Sequence, residues 1–127
     1  MRLFIAVLLI GFGSFAHAAE WVQVSQIGNN VREVDVSSIR GGKPVLNFTS
    51  RHVIDDTGEF NIGRNAVKYL VMEQQADCDK RSTLMLSSEA QRADGSMISK
   101  QSLVAEKPNA VLQGSVDEDI LKFVCAR

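Results

Sequence analysis

Cys78 and Cys125 constrain this chain more than any other feature, because they are its only thiols and the second closes an amphipathic segment near the C-terminal end. Their chemistry depends on compartment, and the first 18 residues read as an export signal. Arg2 precedes an unbroken apolar run from Leu3 to Ile10, Gly11 and Gly13 loosen the chain, and Ala16-His17-Ala18 offers small residues where signal peptidase reads. Cleavage is expected after Ala18, leaving residues 19–127 as one exported domain. A membrane span needs about 20 apolar residues. Here Gly, Ser and His interrupt the run and Glu20 follows, and no Cys stands at the cleavage position to carry lipid. In an oxidising compartment an even pair of thiols in a small domain is expected to form a structural disulfide. A redox or zinc pair is the alternative, but zinc wants four ligands. The mature part offers two thiols, one histidine (His52) and no C-x-x-C.

Composition narrows the class. With 45% apolar and 23% charged residues, the chain is too apolar for a disordered segment and, at 127 residues, suits a single compact domain. Its 14 basic and 15 acidic side chains are dispersed, so there is no polybasic surface for phosphates, and nucleic acid is not an expected partner.

Patterning predicts mostly strands. Residues 21–26 alternate apolar and polar, Gly28-Asn29-Asn30 supplies a turn, and residues 31–36 return, which together make a hairpin. Asp35, Ser37 and Ser38 can bond local backbone, so a tight corner is expected through Ile39, ended by Gly41-Gly42. A third strand follows Pro44, with Leu46, Phe48 and Ile54 on one face and Asn47, Thr49 and Arg51 on the other. The breakers between Asp55 and Asn65 predict a long loop. Residues 66–76 read as a central strand that ends in the polar turn Asp77-Cys78-Asp79-Lys80. Residues 82–91 and 97–104 flank the hairpin signal Asp94-Gly95. About six strands with short connections give an antiparallel sheet.

After a change of pattern at residues 106–109, Ser115 and Glu118 form a capping box, and Asp117 and Asp119 suit the helix N-terminus. Val116, Ile120, Phe123 and Val124 make a stripe with Leu121 and Cys125 beside it, while Glu118, Asp119 and Lys122 take the opposite side. One C-terminal helix should therefore pack on the sheet, tied by Cys125 to Cys78 in the turn after the fourth strand, an α+β architecture.

No constellation for catalysis emerges. A nucleophile needs a base, and His52 stands alone in a strand pattern beside Arg51. Asp55-Asp56 falls in the expected loop, and Asp117-Glu118-Asp119 is explained by capping. No phosphate loop, HExxH, EF-hand or GxSxG occurs, so no catalytic, cofactor or metal residue is assigned. Asn47-Phe48-Thr49 matches a glycosylation acceptor inside a strand pattern. The pairs Arg51/His52, Arg64/Lys68 and Lys80/Arg81 are small basic patches read as a solvated face that could meet an acidic partner, and Met72, Met85 and Met97 are read as core filling. These residues favour a binding module.

The mature chain resembles the bacterial surface-adhesin protein E family. The likeness runs through Ala19-Glu20-Trp21-Val22, the corner Val34-Asp35-Val36-Ser37-Ser38-Ile39, Tyr69 ahead of Asp77-Cys78, Leu86-Ser87-Ser88, and the closing block from Gly114 to Cys125. Val34 stands where that pattern has an aromatic, and no tryptophan precedes the final helix. The resemblance implies a sheet carrying a C-terminal helix and a cysteine bridge. It also implies an exported, non-enzymatic protein-binding module in the periplasm or at the cell surface. Its partner would be a host matrix protein or, as the alternative, a bacterial envelope protein that it caps or assists. An open sheet edge leaves homodimer formation open.

Overall fold

The computed structural model describes residues 18–55, 60–103 and 107–127. Residues 1–17 of the expected signal, Asp56 and Val104 lie outside them. Six strands run in the order β1 (Trp21–Ile27), β2 (Asn30–Arg40), β3 (Val45–Val53), β6 (Tyr69–Asp77), β7 (Ser82–Gln91) and β8 (Met97–Ser102), each antiparallel to its neighbour. One helix, α1 (Val116–Cys125), follows. The α+β expectation therefore holds, with β3 and β6 at the centre of the sheet.

Local chemistry sets the turns. Gly95, at φ 84°, occupies the left-handed region that the β7–β8 hairpin requires. Gly41, at φ 104°, lies against Val45, whose carbonyl would stand 3.0 Å from any added Cβ. The expected corner is a register shift inside a continuous β2. Asp35 Oδ1 accepts from Ser37 N–H (3.1 Å), the Ser37 hydroxyl (2.6 Å) and Glu20 N–H (2.9 Å), while the Ser38 hydroxyl donates to the Asp35 carbonyl.

Period two along β3 buries Leu46, Phe48 and Ser50 on the helix side. There Val34, Phe48 and Ala76 of the sheet meet Ile120, Leu121 and Val124 of α1, with Val24, Ile39, Val111, Val116 and Phe123 packed around them. The fully buried Ser50 is satisfied internally, since its hydroxyl donates to Gln74 Oε1.

Four expectations need correction. Within the segment expected to be one long loop, Asn61–Ile62 (β4) and Asn65–Ala66 (β5) pair as a two-stranded ribbon, too short to show a period. The central strand consequently starts at Tyr69 rather than Ala66. Asn109–Ala110 (β9) adds to β7 beyond the end of β8. Met97 is 56% exposed on β8, so it fills no core, whereas Met72 does at 5%.

The helix side also differs from its helical-wheel reading. Ser115 Oγ accepts from Glu118 N–H at 3.2 Å, as a capping box requires, but the Glu118 carboxylate reaches back to Gly114 N–H. Glu118 is buried rather than solvated, because it also takes Arg81 (2.8 Å) and Lys122 (3.3 Å). Asp119 accepts from the Ser25 hydroxyl of β1 at 2.6 Å. Cys78 and Cys125 are joined, with their Cα atoms 5.9 Å apart, which ties the last turn of α1 to the β6–β7 turn.

Candidate functional site

On the sheet face turned away from α1, Arg51 of β3 stands opposite Glu33 of β2 and Val71 of β6. Its Nε and Nη2 donate to Glu33 Oε2 at 3.1 and 2.8 Å. Its guanidinium carbon lies 4.1 Å from the Trp21 ring centroid and 4.2 Å from that of Tyr69. These rings belong to the only tryptophan and the only tyrosine of the chain. The cluster is a closed unit in which the cation is neutralised by a carboxylate and covered by two π faces. Sequence reasoning missed it because its members come from four different strands. The signal that could have found them was parity, since Glu33, Arg51 and Tyr69 all occupy the helix-free phase of their strands.

The other residues singled out in the sequence do not converge. His52 faces Arg32 and Leu70 in register, and burial, then the positive charge of Arg32, holds its imidazole below the ordinary 6.5. Among the described residues no hydroxyl or carboxylate hydrogen-bonds it. The Asp117-Glu118-Asp119 acids serve the helix. No three of the described His, Cys, Asp and Glu residues are grouped to hold a metal ion. No described helix is long and apolar enough to cross a membrane.

Among the described residues, two exposed surfaces stand out. One is β8, an edge strand whose residues are exposed except Ile98 and whose described strand partner is β7 alone. The other lies at the end of the sheet, where the segments after β3 and around β4 and β5 meet the β7–β8 turn. A pocket of about 450 Å³ there is lined by Phe60, Arg64, Val67 and Arg92 among others, and Asp55 and Lys68 line both it and an adjoining hollow of about 190 Å³. Of the three basic pairs, Arg51 and Arg81 are bound to acids within the fold, while Arg64 and Lys68 stand at this pocket.

The family model described as Surface-adhesin protein E matches residues 21–126. A solved structure of Haemophilus influenzae protein E has a similar fold, with a TM-score of 0.60 at 9% identity, covering 84% of this chain and 83% of that one. Protein E from non-typeable Haemophilus influenzae gives 0.58 at 8% identity, covering 89% and 80%. At such identities the likeness is one of fold. No curated protein sequence matches the chain.

Proposed function

Because the chain belongs to the surface-adhesin protein E family, we propose that residues 19–127, freed of a signal peptide at residues 1–18, are an exported, non-enzymatic module that attaches to a host matrix protein. The observation that carries this reading is β8. A six-residue edge strand presents a row of backbone donors and acceptors to a partner. The scaffold behind it is braced by the Cys78–Cys125 bridge, so less ordering is required when a partner docks. Lys100 within β8 discourages indiscriminate edge pairing.

Protease treatment of intact cells tests the assignment. Cleavage of the module on unbroken cells is the expected result. Protection until the envelope is opened would overturn the adhesin reading and leave a bacterial envelope protein as the partner.

A further inference from the structure

The oxidisable sulfur of residues 19–127 lies in methionine, because both cysteines are already joined in the Cys78–Cys125 bridge. Three methionines belong to that part, and the fold treats them differently. Met72 on β6 is 5% exposed, and its Sδ accepts from Arg32 Nη1 at 3.7 Å. Met85 on β7 is half-buried. Met97 is 56% exposed and is the first residue of β8. Its backbone is held in place, since its carbonyl accepts from Arg92 Nη1 at 3.0 Å and it stands opposite Gln91 in register. The thioether is therefore presented from a fixed point at the start of a strand whose described strand partner is β7 alone.

We propose that Met97 is a modification site, where a peroxide-class oxidant converts the thioether to the sulfoxide, and that the sulfoxide weakens docking at the β8 edge. The second half rests on the reading of β8 as the partner-binding edge. In the chemical step a sulfur lone pair attacks one oxygen of hydrogen peroxide, and the S–O bond forms as the O–O bond breaks. The hydroxide released takes the proton of the new S–OH group and leaves as water. Sulfur is oxidised by two electrons and the peroxide is reduced by two. Burial keeps the other sulfurs from the same reaction, and Met72 is reached only when the fold opens. As a thioether, Met97 offers a strand added beside β8 an unbranched apolar side chain that adapts to its neighbour. The sulfoxide oxygen is a polar acceptor that gives up water when a partner covers it. The change carries no net charge, so it lowers affinity without altering salt dependence.

Timed exposure of the disulfide-bonded domain to hydrogen peroxide, followed by peptide mass mapping, provides the test. Trypsin places the three methionines in separate peptides, residues 69–80, 82–92 and 93–100. Peptide 93–100 should gain one oxygen atom about tenfold faster than peptide 69–80, and denaturant should abolish the difference. The domain oxidised at Met97 should bind an immobilised matrix protein about fivefold more weakly than the untreated domain, and methionine sulfoxide reductase should restore it. Met97→Leu, which keeps an apolar side chain of similar volume, should bind like wild type and stay unaffected by peroxide. Met97→Gln, a polar stand-in for the sulfoxide, should bind weakly without any oxidant. Oxygen uptake at Met72 or Met85 as fast as at Met97 in the folded domain would overturn the site. Complete oxidation of Met97 with binding unchanged, or an equal loss of binding in peroxide-treated Met97→Leu, would overturn the effect on docking. A domain that binds no matrix protein even before peroxide would remove the matrix reading, and the mapping alone would then decide the Met97 site.

Discussion

Arg81 Nη2 donates to Glu118 Oε2 at 2.8 Å, joining the β6–β7 turn to the first turn of α1. The same turn carries Cys78, bridged to Cys125 in the last turn of the helix. The helix is thus anchored to one loop at both its ends, and Ser25 adds a third tie through Asp119. The Gly114 N–H, then Lys122 and Arg81, hold the Glu118 carboxyl below its ordinary 4.5. A lowered carboxylate stabilises the fold fully above the unfolded value and ceases to do so as pH falls through the folded one. Melting temperature should therefore fall below about pH 4.5. Glu118→Gln should melt lower than wild type at neutral pH and show a flatter acid limb, measured by circular dichroism across a pH series. Superimposable pH profiles would contradict this role for Glu118.

Removing the bridge should cost about 4 kcal/mol if its effect is loop closure in the unfolded chain. The sequence separation it spans is 47. Cys78→Ser/Cys125→Ser should unfold at a clearly lower denaturant concentration than the oxidised wild type, and reducing agent should shift the wild type but not the variant. That loss would be a large fraction of the stability of a small domain.

The Arg51 cluster contains its own reporter, since Trp21 is the only tryptophan. Arg51→Lys keeps the charge but loses the planar donors and the stacking. Fluorescence should shift to longer wavelength as the indole gains water, with a stability loss of about 1 kcal/mol. An unchanged spectrum would mean that the cation does not cover the ring.

His52 is the only histidine of residues 19–127, so its imidazole resonances are unambiguous. An NMR titration should place its midpoint below 6.5, and Arg32→Gln should raise it by removing the neighbouring charge. Because protonation is disfavoured in the fold, the imidazole destabilises the protein as pH falls below about 6.5. A midpoint at or above the ordinary value would contradict the burial described here.

Legibility in the sequence follows the range of the interactions involved. The strand over residues 82–91 and the stripe Val116, Ile120, Phe123 and Val124 are read from local period, and the structure contains both. Cap position was equally local. Partnership was not, because Glu118 reads as a solvated helix acid until Arg81, 37 residues away in sequence, is brought to it. The Trp21–Arg51–Tyr69 cluster depends on strand order and register, which a single sequence does not specify. Met97 shows the same limit, since an apolar residue on an edge strand and one under a helix look alike along the chain.

Surface plasmon resonance of the oxidised mature domain over immobilised matrix proteins, at physiological ionic strength, bears most directly on the function assigned to this scaffold. Saturable binding to at least one of them, competed by unlabelled domain, is the result expected. Flat, non-saturating responses across the whole set, from a domain shown to be folded and fully oxidised, would contradict it.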